Sequence, residues 1–307
     1  MKKKVLVFGG TGFIGSAIVD LMISNPKQYD IWMLVRRNYD VQGLERVKII
    51  RGDLENFNLK WLDIINPDLI LHLARINGKG KWGRRRAAYK GKKANVRLIN
   101  AIKSYCPKAK VIYVSGTLVY GSNGDRIINE KSDLNPTSYA REYINAEKPW
   151  MEAMKKEDIK VSMMRPPWIL GAQSWFGFFF IKFMKKYNQI PMYGDGSNWM
   201  SIIDLTDCAG LILHYIESKK TNSVFNVSNP NALITMREFT ELIQEETGLE
   251  ITKIPEDLLI SKHGKATTEA FTFSLKSTSL QKELIDSYSF KHLNIKNILK
   301  NNINLPL

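Results

Sequence analysis

The chain has 307 residues, 44% of them apolar and 24% charged, a balance that excludes a disordered, collagen-like or coiled-coil protein. Its net charge of +15 is concentrated, because ten basic residues and no acid lie between Arg75 and Arg97. That clustering implies one anion-binding surface rather than a generally sticky protein.

Two cysteines, Cys106 and Cys208, are too few for a disulfide framework and form no metal-ligand pair. A reducing, cytoplasmic setting without a bound metal is therefore expected. Met1-Lys2-Lys3-Lys4 before Val5–Phe8 imitates the opening of a secretion signal, but glycines break the apolar run at once. No stretch is apolar for long enough to span a membrane.

Val5–Phe8 is the first predicted strand. Gly9-Gly10-Thr11-Gly12-Phe13-Ile14-Gly15 follows it and opens a helical pattern over Ile14–Ser24. A G-x-x-G-x-x-G turn between strand and helix lets backbone approach a pyrophosphate, whose charge then sits on the helix N-terminus. Gly9, Thr11, Gly12, Phe13, Ile14 and Gly15 are accordingly the first cofactor-binding candidates. The second strand, Ile31–Val35, ends not in the acid that would hold a ribose 2′-hydroxyl but in Arg36-Arg37. Two guanidiniums suit a 2′-phosphate, so NADP is expected in preference to NAD. After the third strand, Val47–Arg51, Asp53-Leu54 is placed to touch an adenine; a helix N-cap is the other reading of Asp53.

The fourth strand, Leu69–His72, leads into the basic stretch and a helical pattern over Ala94–Tyr105. Val111–Ser115 is the fifth, followed by a helix over Ser138–Lys155 and a sixth strand at Val161–Arg165. Pro166-Pro167 then breaks the chain, and aromatics crowd the segment from Trp168 to Phe183. A glycine-rich turn, Tyr193-Gly194-Asp195-Gly196-Ser197, comes next. A last strand, Val224–Val227, precedes a helix start at Thr235, with Glu238 set for a capping box. The alternation predicts an α/β fold, a doubly wound parallel Rossmann sheet with right-handed crossovers. Residues 1–165 with about 199–229 read as a dinucleotide-binding domain. Residues 166–198 with 230–307 read as a smaller, mostly helical substrate-binding region.

In order along the chain, a series of short motifs resembles the landmarks of extended short-chain dehydrogenases/reductases of the NAD-dependent epimerase/dehydratase type. They are Gly9–Gly15, Asp53-Leu54, His72-Leu73-Ala74, Asn95-Val96, Ser115 through Val119-Tyr120-Gly121, Arg165-Pro166-Pro167, Gly194-Asp195-Gly196, Asp204 through Asp207, and Phe225-Asn226-Val227 leading to Thr235. The resemblance implies an NAD(P)-dependent oxidoreductase, epimerase or dehydratase acting on a nucleotide-linked sugar or another small anionic metabolite. It adds Leu73, Ala74, Arg75 and Pro166 to the cofactor-binding set. It also implies a homodimer paired through the helices around Ala94–Tyr105 and Ser138–Lys155.

The family resemblance further implies a Ser/Thr–Tyr–Lys constellation, in which a lysine lowers the pKa of a tyrosine acid/base. Tyr139 takes the tyrosine's place: Asn135-Pro136-Thr137-Ser138 precedes it, it lies 24 residues after Ser115, and Glu147 supplies the helix's acid. Tyr143 stands where the lysine belongs, and Gly116 where the hydroxyl belongs. Two readings stay open. One is an atypical enzyme, with Tyr139 as acid/base, Thr117 or Ser115 as its hydroxyl partner, and Arg75 or Lys148 as a substitute cation. The other is a catalytically impaired NAD(P)-binding protein with a regulatory or RNA-binding role. Arg75, Lys79 and Lys81 are placed for an anionic substrate, whereas Arg84–Arg86 onward reads as a solvated helix face. Ser197–Ser201 carries no cation after the Gly-Asp-Gly turn, which weakens a nucleotide-diphosphate-sugar substrate and leaves room for a more apolar one.

Overall fold

Val5, Leu6, Val7 and Phe8 are all fully buried, as a strand must be when helices cover both of its faces. In the computed structural model, which describes residues 1–303, they lie within β1 (Lys3–Phe8). There follow α1 (Phe13–Ile23), β2 (Tyr29–Val35), β3 (Lys48–Arg51), α2 (Lys60–Ile65), β4 (Leu69–His72), α3 (Gly80–Tyr105) and β5 (Lys110–Val114). Next come a 3₁₀ turn at Thr117–Tyr120, β6 (Ile127–Ile128), α4 (Ser138–Lys156), β7 (Lys160–Arg165) and β8 (Trp168–Leu170). A π-helical turn over Phe176–Ile181 runs into α5 (Lys182–Tyr187), then β9 (Gln189–Tyr193), β10 (Trp199–Asp204), α6 (Leu205–Glu217) and β11 (Val224–Asn226). The chain continues through β12 (Leu233–Thr235), α7 (Met236–Thr247), β13 (Glu250–Ile254), α8 (Glu256–His263), α9 (Lys265–Thr272), β14 (Lys276–Ser277), α10 (Lys282–Asp286) and α11 (Ile295–Asn302).

All seven predicted strands join one sheet, in the order β11-β7-β5-β4-β1-β2-β3. Every pairing from β7 through to β3 is parallel. This is the doubly wound Rossmann sheet that the alternation implied. Its strand order reverses between β1 and β4, the point at which open sheets of this kind take their ligands.

The chain divides into two compact units. The first holds Met1–Ser115, Glu142–Arg165 and Ile212–Phe225; the second holds Gly116–Arg141, Pro166–Leu211 and the chain from Asn226. One boundary falls at Pro166. In the second unit short strands find partners far along the chain: β6 pairs with β14, and β10 pairs with β8 and β12. It also carries a parallel β9–β13 pair. Several of its aromatics are core, whereas Phe178 and Tyr187 are exposed. Trp168 and Trp175 meet edge-on at 4.4 Å, and Phe176 and Phe180 stack at 5.6 Å against Phe239.

In the first unit Leu98 and Ile102 of α3 and Trp150 of α4 share a core with Leu6, Ile70 and Val111. α3 begins at Gly80, well before the predicted Ala94. Its early turns bury only Ala87, Ala88, Gly91 and Ala94, side chains too small to announce an apolar face. Gly91 faces α4, where a Cβ would come within 3.2 Å of the Ala146 Cβ. The outward side keeps Lys81, Arg85, Arg86, Lys92 and Lys93 exposed, the solvated face expected there.

Candidate functional site

The first unit presents the glycine turn between β1 and α1. Gly9 has φ +85°, and a Cβ there would lie 2.6 Å from the Ala74 amide nitrogen. A Cβ on Gly15 would fall 2.1 Å from the Gly9 carbonyl oxygen, so neither position admits a side chain. The Leu73 amide donates to the Phe8 carbonyl at 2.8 Å, which brings Leu73 and Ala74 against the turn. Gly12 caps α1 with no side-chain hydrogen bond, and no acid stands in the first helical turn. The turn thus offers backbone amides and the positive end of α1 to an anion. It fits a dinucleotide's pyrophosphate, and Thr11, Phe13 and Ile14 lie in the same segment.

At the end of β2 the chain turns through Arg36–Tyr39, closed by the Tyr39 amide donating to the Arg36 carbonyl at 3.0 Å. A cavity of about 500 Å³ opens there, lined by Arg36, Arg37, Asn38, Tyr39, Gly52 and Asp53. Both arginines are exposed. Asp53 lines the cavity, and its carboxylate accepts the Asn56 amide at 2.9 Å, closing a local turn; it is not a helix N-cap, because α2 starts at Lys60 with Leu59 at its N-cap. Leu54 packs on the core beneath.

Beyond β4, Arg75 lies with its guanidinium 4.4 Å from the centre of the Tyr143 ring, and its Nε donates to Asn77 at 3.1 Å. Lys148, the other candidate cation, is exposed. A buried polar chain runs alongside. His72 Nε2 meets Asn95 Oδ1 at 2.9 Å, and Asn95 donates on to the Ala146 carbonyl at 2.7 Å. Burial lowers the His72 pKa to about 4, so the imidazole is neutral. These two landmark residues therefore tie β4 to α3 and α4.

Glu147 is buried and takes the Ser115 hydroxyl at 2.5 Å and the Arg165 guanidinium at 3.3 Å. Burial raises its pKa, against the opposing pull of Arg165 and of both hydrogen bonds. Ser115 is thus committed to Glu147, a role its sequence position did not reveal.

The remaining predicted residues belong to the second unit. Thr117 is buried in the 3₁₀ turn, where its amide donates to the Pro166 carbonyl at 3.1 Å. Gly116 has extended backbone, and a Cβ there would meet only that same oxygen, at 3.7 Å. Tyr139 stands partly buried in the first turn of α4, one turn before Tyr143.

The Gly-Asp-Gly turn lacks a local cation, yet Arg237 of α7 donates to the Asp195 carbonyl at 2.7 Å. Lys253 lines a cavity of about 500 Å³ together with Gly194, Asp195, Ser197 and Asn198. Sequence reasoning missed both, because each comes from a distant segment.

Asp204, Asp207 and His292 bring ligand-type atoms within 4.8 Å of one another. Their carboxylates are engaged by donors: Asp207 takes the amides of Lys291 and His292, and Asp204 takes Thr206 and the Asn302 side chain. That donor set anchors the segment after Tyr288 rather than presenting lone pairs to a cation.

A parallel seven-stranded sheet with a glycine turn after its first strand defines a Rossmann-type dinucleotide fold. The chain belongs to the NAD dependent epimerase/dehydratase family, whose model matches residues 5–228. Human dTDP-D-glucose 4,6-dehydratase is 25% identical over 259 residues, covering 79% of this chain and 73% of the relative. The crystal structure of dTDP-glucose 4,6-dehydratase from Bacillus anthracis in complex with NAD is similar with a TM-score of 0.79 at 20% identity, covering 98% of this chain and 95% of that one. Human epimerase family protein SDR39U1 with NADPH has a TM-score of 0.78 at 19% identity, covering 98% and 100%.

Proposed function

We propose that this protein is an NADP-preferring enzyme of the epimerase, dehydratase or reductase kind, acting on an anionic, nucleotide-linked sugar. The observation that carries the reading is the glycine turn together with the Arg36–Arg37 cavity after β2. Similar solved proteins bind NAD or NADPH, which supports a nicotinamide cofactor in this turn. The bound dinucleotide would supply a hydride donor or acceptor.

The chain's own residues do the rest. Gly9 to Gly15 hold the pyrophosphate, Leu73 and Ala74 border the cofactor, and Arg36 and Arg37 grip the 2′-phosphate. Tyr139 Oη holds and donates the proton at the substrate oxygen. Thr117 is its hydroxyl partner, because the Ser115 hydroxyl already donates to Glu147. A phenol with an ordinary pKa of about 10 is a poor base at neutral pH, so a cation is needed near it. Arg75 supplies that charge, and its stacking on Tyr143, the residue in the lysine's position, supports the assignment. Arg237 and Lys253 at the Gly-Asp-Gly turn support a phosphate-bearing substrate, although no cation follows the turn in sequence.

The test is a panel of UDP- and dTDP-linked sugars with NADP⁺ and NAD⁺, followed by cofactor absorbance and by product analysis. Turnover of at least one sugar nucleotide, and tighter NADPH than NADH binding by nicotinamide fluorescence, are expected. A guanidinium–phosphate pair contributes roughly 1.5–3 kcal/mol, about ten- to a hundredfold in affinity. Equal or tighter NADH binding would refute the NADP reading.

A further inference from the structure

Arg51 is the last residue of β3, paired in register with Val35, the last residue of β2. From that strand end it reaches back over the turn that leaves β2. Its Nη1 donates to the Tyr39 carbonyl at 2.7 Å, lies 3.2 Å from the Arg36 carbonyl and sits 3.4 Å from that of Arg37. One guanidinium thus gathers three main-chain oxygens from four consecutive residues. The neighbouring Gly52 amide donates to the Val35 carbonyl at 3.0 Å, which pins β3 against the start of the same turn.

Two physical consequences follow. A peptide is planar and trans, so its N–H points opposite to its carbonyl. Turning the Arg36 and Arg37 carbonyls onto Arg51 therefore directs the amides of Arg37 and Asn38 away from it. The second consequence is electrostatic. Arg36, Arg37 and Arg51 are exposed cations gathered at one strand end. Asp53 is the carboxylate among the cavity-lining residues, and it is engaged with Asn56. A dianion beside Arg36 and Arg37 is attracted by both.

We propose that Arg51 is the positioning residue for dinucleotide specificity: by clamping the carbonyls of Arg36, Arg37 and Tyr39 it holds the turn in the shape that presents Arg36 and Arg37 to a ribose 2′-phosphate. This inference rests on the NADP reading above. It assigns the selectivity to three arginines, two that touch the phosphate and one that acts through them.

The test is a double-mutant cycle read as the NADPH-to-NADH affinity ratio, by nicotinamide fluorescence on the full chain. The unmodified protein is measured first, and a ratio near one there would end the NADP reading itself. Given an NADPH preference, Arg51→Met is expected to lower the ratio about tenfold while NADH affinity stays within about twofold. Arg51→Lys is expected to keep part of the preference. In an Arg36→Ala, Arg37→Ala background, adding Arg51→Met should change the ratio no further, because a positioning residue acts only through the pair it positions. An unchanged ratio in Arg51→Met would overturn the inference and leave the cofactor reading standing. A further, additive loss in the Arg36/Arg37 background would overturn it too, since Arg51 would then contact the phosphate independently. If Arg51→Met does not fold, Arg51→Lys and Arg51→Gln carry the same cycle, and equal losses for NADH and NADPH would count against the clamp.

Discussion

The glycine turn and the segment from Ser115 to Glu147 serve the two halves of one proposed chemistry, and they are built in opposite ways. The turn is local: seven consecutive residues and two adjoining strand ends supply its geometry. The second region is assembled from segments far apart in the chain, and other residues stand at the two places where the family resemblance implies a lysine and a hydroxyl. The lysine's place holds an aromatic ring with Arg75 lying over it, and the serine expected as a hydroxyl partner is bound to Glu147. Backbone geometry at the turn tolerates no substitute for glycine. A positive charge, by contrast, can arrive on any side chain that reaches.

The largest expected effect separates these regions most sharply. Tyr139→Phe removes the proposed acid/base, and general acid–base help is typically worth about 10²–10⁴ in rate. Turnover of whichever sugar nucleotide the panel identifies should fall by that factor while NADPH affinity stays unchanged. Full activity after the change would show that the proton comes from another group.

How much of this was legible in the sequence follows the same division. The seven strands were readable because most are short apolar runs covered on both faces, and the glycine turn because its spacing sits between strand and helix. Thr235 was readable for a similar reason: the capping box with Glu238 is complete within four residues. The early turns of α3 were hidden because alanine and glycine bury its inner face. Arg75 on Tyr143, Arg237 at Asp195 and Arg51 over Tyr39 were hidden because each joins residues that only the fold brings together. Short strands such as β9 and β14 owe their state to distant partners rather than to any period of their own.

A second, smaller effect tests the buried chain that links β4, α3 and α4. The folded-state pKa of His72 is lowered to about 4 by burial, below its ordinary 6.5. The unfolded chain therefore binds the proton more readily, and His72 contributes stability above about pH 6.5 that is lost as the pH falls toward 4. The full shift corresponds to about 3 kcal/mol. Glu147 acts in the opposite sense, because its pKa is raised. The check is urea denaturation at pH 7.5 and 5, compared with His72→Asn. The variant should lose much of the acid-side slope, and an unchanged slope would place the neutral imidazole elsewhere in the account.

The smallest effect is structural tolerance at the exchanged hydroxyl position. A Cβ on Gly116 meets nothing closer than 3.7 Å, and the backbone is extended, so Gly116→Ser should alter stability by no more than about 0.5 kcal/mol. Thermal denaturation checks this. A large loss of stability would mean that the glycine is required by the fold rather than exchanged in the chemistry.

A four-protein cycle over Arg75 and Tyr143 asks whether Arg75 stands in for the lysine. Turnover is measured for the unmodified chain, Arg75→Ala, Tyr143→Lys, and the two combined. Arg75→Ala should slow turnover about ten- to a hundredfold, since the proposed acid/base loses its cation. Adding Tyr143→Lys should restore the rate. If Arg75→Ala leaves turnover unchanged while NADPH still binds, Arg75 does not supply the charge and the proposed constellation is wrong.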